Sequence, residues 1–334
     1  MRTFLRYALR RFGQFVLVVF VGINLAFFIT HATPIDPIAQ AIAAATRFSQ
    51  SDPHAVEMTR TALRELYGLN GTLWQQYGAF WRRIVVADFG PSLSAFPTPV
   101  STLIWRALPW TFGLLTVSTL ISWTLGNLLG GLAGYYRRNR ILKLIGVLAT
   151  GLQPIPNYIM AFVLLVLFGF VWPILPITGA AQINLAQGVT WDYIHSVVYH
   201  AILPVLSLVL VGIGPSFIGM RALVSNIVTE DFVTYAELAG VNPHRILIAY
   251  VMRNAMGPQF TGLALSLGLI FNGAVITEVV FGYPGVGNLL IRAVYAGDYS
   301  LVIGIASVSI IAVAAAVLLI DLLYPLIDPR VRLG

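Results

Sequence analysis

Hydrophobic and polar positions fall along this chain in long blocks. Apolar blocks at about 12–30, 110–134, 144–172, 200–222, 259–280 and 302–325 each approach the roughly 20 residues that carry a helix across a bilayer. One piece breaks the pattern. TYAELAGVNPHRILIAYVMRNAMGP, Thr234 to Pro258, places Glu237, His244, Arg245, Arg253 and Asn254 between two greasy blocks, with a Gly and a Pro near its middle. The blocks predict an all-α, polytopic membrane protein with six transmembrane helices. Arg2, Arg6, Arg10 and Arg11 precede the first block as they would in a signal peptide. The apolar run is long for one, however, and no small-x-small cleavage site follows, so a retained anchor is expected.

Helical periodicity also marks the outer segment between the first two spans. DPHAVEMTRTALRELYGL repeats apolar residues at Val56, Leu63 and Leu66, with Asp52 and Pro53 as cap and first turn. TLWQQYGAFWRRIVVADFG sets Trp74, Tyr77, Phe80, Trp81 and Ile84 on one helical face, and PTPVSTLIWRALPWT leads into the second span with Trp105 and Trp110 at interfacial depth. A small helical cap lying on the outer face is expected here. The expected organisation is thus 1–30 as N-terminal segment and first span, 31–109 as external helical loop, and 110–334 as a five-helix core with a cytoplasmic loop at about 225–258.

Within the spans, GNLLGGLAG puts Gly126, Gly130 and Gly134 four apart on one face, where backbones can approach closely. Pro154 and Pro156 break the third span, and Pro215 loosens the fourth. Static packing with kinks is one reading; helices lining a route that opens and shuts is the other.

Composition narrows the class. The chain is 58% hydrophobic and 10% charged, with a mean hydropathy of +0.83, whereas soluble domains carry about 25% charged residues. A net charge of +7 could suggest nucleic acid, but all basic residues except Lys143 are Arg, clustered beside apolar runs. That placement sets membrane orientation instead. Thirteen basic residues fall in the N-terminal segment, the links after the second and fourth spans, and the C-terminal end, while the short loops at about 173–199 and 281–301 hold only Arg292. The long 31–109 segment has six Arg but weighs little in this rule. Both termini and the 225–258 loop are therefore expected in the cytoplasm.

Chemistry is mostly missing. There is no Cys, no Walker A loop, no H-E-x-x-H and no G-x-S-x-G, and His31, His54, His195, His200 and His244 are scattered, so no metal site is expected. Asp321 lies in the last apolar block and Glu278 near the outer end of the fifth, each within reach of an interface, and Asp321 is expected to be an inter-helix hydrogen-bond acceptor rather than an ion relay. The chain offers no energy source of its own.

Locally, one helix is expected from about Ser225 to Ala239, with Gly240 at the left-handed position after it. Asn242 and Pro243 cap and start a second helix to about Met256, and Pro258 feeds the next span. Leu238, Val241, Ile246 and Leu247 among the polar residues make this corner either a simple loop or a knob for another protein.

The stretch resembles the cytoplasmic coupling loop, the EAA loop, of permease subunits in binding-protein-dependent ABC importers. Aligned on Gly240, Thr234, Tyr235 and Ala236 fall on Glu-Ala-Ala; the first two letters are not met, but Ala236, Gly240, Arg245, Arg253 and RNAMGP are. YALRRFGQFVLVVF…THATPIDP, ELYGLNGTLWQQYGAFWRRIVVADFGPSL, EVVFGYPGVGNLLIRAVYAGDYSLV and DLLYPLIDPRVR resemble further segments of the dipeptide/oligopeptide/nickel branch, in order and from end to end, and the long outer loop suits the first of its two permeases.

The resemblance implies a type I ABC importer transmembrane fold in a bacterial inner membrane, an archaeal host being the alternative. It implies an external binding protein (periplasmic or lipid-anchored), a second related permease, and one or two cytoplasmic ATPase subunits that bind ATP and Mg. This chain would have no cofactor, no catalytic residue and no nucleic-acid partner. The coupling role would fall to Thr234, Tyr235, Ala236, Glu237, Gly240, Pro243, Arg245, Arg253 and Asn254. For Arg245 and Arg253, a plain positive-inside anchor is the alternative. Glu278, Phe281, Tyr283, Pro284 and Gly285 would form an outer gate or binding-protein contact, or a tight turn that touches no cargo. Peptides, nickel complexes, oligosaccharides and opine-like compounds are all open as cargo. A stand-alone secondary carrier would need a mid-membrane ionisable network, and a membrane enzyme a polar catalytic cluster; neither is visible.

Overall fold

The computed structural model describes residues 2–32, 42, 53–66, 71–182, 184–185, 188–268 and 275–327. Helix α1 is Arg2–Ala32, α2 is Pro53–Leu66 and α3 is Leu73–Val85; Asp52, the expected cap of α2, lies outside the described residues. Then follow α4 (Val100–Tyr135), α5 (Arg140–Leu152), and α6 (Asn157–Leu165) running into a π-helical turn at Val166–Val171. Next come α7 (Trp191–Ile227) and α8 (Asp231–Leu238), then α9 (Pro243–Arg245), a second π turn at Ile246–Met252, and α10 (Arg253–Gly268). The last are α11 (Val275–Val280), α12 (Val286–Tyr295) and α13 (Tyr299–Ile327).

Among the described residues four helices are long and apolar enough to cross a membrane: α1 over Leu5–Thr30, α4, α7, and α13 over Tyr299–Leu322. The pair α5 and α6 makes a fifth if it forms one broken span, but its halves are bent by 107°. The sequence predicts a kinked helix there, and the difference has a clear cause. Pro154 cannot continue the hydrogen-bond ladder, and Pro156, at φ −59° and ψ 139°, starts α6 in a new direction. Of the predicted span at about 259–280, α10 and α11 hold the two ends; α10, at 16 residues, is short of a crossing, and residues 269–274 are outside the described ones.

The chain divides into two compact units. One comprises Met1–Thr111 with Pro284–Leu318, the other Phe112–Tyr283 with Leu319–Gly334. The core of the first joins Val100, Ile104 and Ala107 of α4 to Val286 and Ala293 of α12 and Leu301 and Ile305 of α13.

The second unit is organised around α7, which runs unbroken through Pro204 and Pro215. Along α4 the glycine stripe meets it backbone to backbone. A Cβ at Gly126 would fall 2.6 Å from that of Ser216, one at Gly130 would overlap the Phe217 carbonyl, and one at Gly134 would lie 2.9 Å from the Arg221 carbonyl. From the other side a Cβ at Gly214 would fall 2.9 Å from the Ala149 carbonyl of α5. Helices this close gain dispersion contacts that lipid alone would not drive. The Trp123 indole of α4 also donates to the Gln259 carbonyl of α10 at 2.9 Å, just past Pro258.

Candidate functional site

The corner that breaks the hydropathy pattern is built from α7, α8, α9 and the π turn. The sequence predicts one helix from about 225 to 239, whereas α7 stops at Ile227 and α8 starts at Asp231. The Thr229 hydroxyl takes the Asn226 carbonyl at 2.7 Å, and Glu230 turns extended (ψ 146°) to begin the new helix. Side-chain bonds of this kind compete with the helical ladder.

At the other end of α8 the geometry matches the expectation. Gly240 has φ +73°, its N–H donates to the Glu237 carbonyl at 3.0 Å, and Val241 N–H donates to the Ala236 carbonyl at 3.1 Å. This is a Schellman ending, with a left-handed glycine and two orphan carbonyls satisfied. The Asn242 side chain then accepts from His244 N–H at 2.9 Å and Pro243 occupies the first helical position. The following helix does not end near Met256. Helical residues continue through the π turn and through Pro258 to Gly268, because α4 and α7 hold α10 where proline interrupts the ladder.

The corner is fixed rather than loose. Val233 and Ala236 point inward from α8 and are buried with Met220, Val224, Ile246, Val251 and Ala255, while Val241 packs on the same cluster. The Tyr135 hydroxyl donates to the Pro243 carbonyl at 3.4 Å, and the Arg137 guanidinium donates to the carbonyl of Ser225. The opposite face of α8 is bare: Tyr235 is 71% and Leu238 80% exposed, with Phe232, Thr234 and Glu237 beside them. Pro243, Arg245, Arg253 and Asn254 are exposed as well, the Asn254 amide donating to the Tyr250 carbonyl at 2.6 Å. The residues singled out in sequence thus fall into a buried anchor, Ala236, a turn, Gly240 and Pro243, and an exposed rim.

The second group surrounds the turn after α11. Glu278, expected within reach of an interface, is instead completely buried, as are Phe281 and Tyr283. Tyr283 N–H donates to the Glu278 carbonyl at 2.7 Å, Gly179 N–H donates to the Phe281 carbonyl at 2.9 Å, and Gly282 turns the chain at φ +56°. Burial, and after it the nearby Glu278 and Tyr193, push the Tyr283 phenol up to about 12. Of the neighbouring positions Pro284 is exposed and Gly285 buried. Asp321 is half-buried.

A third cluster escaped the sequence reading. Asp298 is fully buried and caps α13, accepting from Leu301 N–H at 3.1 Å. Its other oxygen accepts from the Ser94 N–H at 2.9 Å, the Ser94 hydroxyl at 2.8 Å and the Ser92 hydroxyl. The segments containing ADFGPSL and AGDYSLV are therefore joined; only the Asp before a long apolar helix, as a cap, could have signalled it. Among the described residues no group of three metal-ligating side chains comes together; His195 stacks on Tyr199, and His200 meets the same ring edge-on.

Comparison with known proteins agrees with this architecture. Over 94% of this chain and 95% of the relative, it is 28% identical to the oligopeptide transport system permease protein AppB of Bacillus subtilis. It is 28% identical to the dipeptide transport system permease protein DppB of Escherichia coli K12 (98% and 99% covered). To the probable D,D-dipeptide transport system permease protein DdpB of the same strain it is 29% identical (99% of both). Residues 126–333, which include the whole corner and its glycine stripe, match the family described as the binding-protein-dependent transport system inner membrane component, and the chain belongs to that family.

Proposed function

We propose that this chain is the first permease of an ATP-driven importer for peptide-like solutes, forming half of a translocation pathway and carrying no ATPase site. In this reading it crosses the membrane six times with both termini in the cytoplasm, in the type I importer arrangement. Residues 31–109 then form the external segment and 110–334 the permease core. The Arg distribution supports the orientation, and the relatives named as peptide and dipeptide permeases support the cargo class. A second permease, one or two ATPases that bind ATP and Mg, and an external binding protein complete the assembly.

The observation that carries the coupling assignment is the corner itself. A docking element must transmit force, so it needs a fixed base and a free apolar face. Helix α8 has both: Val233 and Ala236 are locked into the core, and Phe232, Tyr235 and Leu238 are exposed in a segment that this reading puts in the cytoplasm. Exposed aromatic residues that a partner would bury supply much of the energy of protein interfaces. ATP-driven closure of the ATPases would then move the corner, and with it α7 and α10. At the outer end, buried Phe281 and Tyr283 suit a closed gate, and exposed Pro284 suits contact with the binding protein.

The chain has no cysteine, so Leu238→Cys gives a single thiol at the tip of α8. In membranes holding the whole system, a short bifunctional crosslinker should join it to an ATPase subunit. Crosslinking confined to other proteins, or none while a thiol on an outer loop reacts, would refute the assignment.

A further inference from the structure

Helix α3 sits at an unexpected level along α1. Phe20 stacks on Trp81 with ring centroids 5.4 Å apart; Phe27 meets Tyr77 at 5.4 Å and Phe80 at 5.0 Å; the Tyr77 hydroxyl donates to the Asn24 side chain at 2.6 Å. Higher numbers on α3 pair with lower numbers on α1, so α3 runs antiparallel to it. The uncharged stretch of α1 begins after Arg11 and the span closes at Thr30. Phe20 therefore lies about 15 Å in from the outer end at 1.5 Å per residue, which is half of a hydrocarbon core about 30 Å thick. Helix α13 gives a comparable depth, Gly22 lying about 12 Å in by the same count. A Cβ at Gly22 would fall 2.9 Å from the Ile310 side chain, and Ile310 is about 16 Å from the outer end of α13 at Tyr299.

The chain then turns and climbs back. Ala87 has φ +53°, the one non-glycine residue with positive φ among those described. Its N–H donates to the Ile84 carbonyl at 3.1 Å, and Asp88 N–H donates to the Arg83 carbonyl at 3.0 Å, so two of the four orphan carbonyls of α3 are satisfied inside the turn. Irregular backbone at membrane depth needs such partners. Past the turn, Phe89 lies beside Gly304 of α13, whose Cβ would fall 3.3 Å from the ring, and Ser92 reaches Asp298 at the outer end of that helix. The return limb ascends α13 as its numbers rise.

We infer that α3 and the limb Val86–Pro99 form a re-entrant hairpin that dips into the outer half of the bilayer beside α1, in place of a cap lying on the outer face. One side of α3 is aromatic and covers α1. The other carries Gln75, Gln76, Ala79, Arg82 and Arg83, of which Gln75, Ala79 and Arg82 are exposed. An exposed arginine at this depth is costly against acyl chains, so the polar side faces a water-filled recess open to the outside. The tip divides in the same way: Val85, 80% exposed, and Val86, 66% exposed, contact lipid, while Asp88, also exposed and accepting from Gly90 N–H at 3.0 Å, belongs to the watery side.

The test uses the cysteine-free chain in its assembled, transport-competent form in intact inner membranes. Single variants Ala79→Cys, Arg82→Cys, Leu25→Cys on the exposed side of α1, and Glu57→Cys on α2 are treated from the outside with a membrane-impermeant maleimide. In parallel, a bimane on Val85→Cys is quenched by lipids bearing a nitroxide at acyl carbon 5 or carbon 12. Cysteine at Ala79 and Arg82 should label within about threefold of the rate at Glu57, and at Leu25 at least tenfold slower. Val85 should be quenched more strongly from carbon 12. Stronger quenching from carbon 5 would place the hairpin on the surface and overturn the inference. So would slow labelling at both Ala79 and Arg82, which would mean that protein or lipid covers the polar side. Ala79→Cys changes little more than one atom, so the test holds even where Arg82→Cys misfolds.

Discussion

Single residues set the geometry at three places, and each can be tested alone. A Cβ at Gly240 would meet no atom within 4 Å, so the φ of +73° is what demands glycine. A β-branched residue there should cost about 1–2 kcal/mol from the backbone alone. Gly240→Val should therefore lower the transport driven per ATP hydrolysed in the assembled system, while Gly240→Asn, which tolerates the left-handed region, should keep most of it. Unchanged coupling in the valine variant would remove the turn from the account. At Asp298 the carboxylate caps a helix and holds two serines at once. Asp298→Ala should cost about 2–4 kcal/mol, read as a lower unfolding temperature in detergent, with Asp298→Asn losing less than half as much. Tyr283 gives a pH test. Its folded phenol is raised from 10 to about 12, so its contribution to stability is complete below pH 10 and is lost as pH climbs towards 12. Tyr283→Phe should flatten the stability profile in that window.

At the level of elements, the glycine stripe is the clearest case of sequence dictating packing. The four-residue spacing of Gly126, Gly130 and Gly134 already implied a close helix contact, and α7 supplies it. Gly130→Ala should destabilise the second unit by about 1–3 kcal/mol, because its methyl group has only the Phe217 backbone to push against. A thermal shift as small as that of Gly151→Ala, where nothing lies within 4 Å, would contradict the contact. Other elements were less legible, for stated reasons. Pro154 and Pro156 announced a break, but its 107° angle depends on what the two halves pack against. Thr229 ends α7 through a side-chain bond that periodicity does not register. Conversely, Pro258 looked like a helix end in sequence, and tertiary contacts from Trp123 overrode it. Glu278 lay near a span end in sequence, and only the folded surroundings buried it. The corner was legible because Gly240, Asn242 and Pro243 act locally; the Ser92–Asp298 node was not, because its partners lie about two hundred residues apart.

For the molecule as a whole, composition was enough for a multi-pass membrane protein, and family membership makes it an inner-membrane transport component. The scarcity of ionisable groups in the spans and the lack of any nucleotide-binding loop fit a machine whose work is supplied from outside. Helices packed by glycine backbones move as rigid bodies more readily than they deform, so on the proposed reading a push on α8 would be passed through its buried anchor to α7 and α10. That link from corner to bundle is the central claim, and one measurement addresses it most directly. The chain is purified from native membranes in mild detergent, what accompanies it is identified, and the assembly is placed in liposomes for peptide uptake. The account predicts a second permease and one or two ATPases in the preparation, with uptake that requires ATP and the binding protein and is lowered by Gly240→Val. A chain that purifies alone and carries peptide without ATP would contradict it.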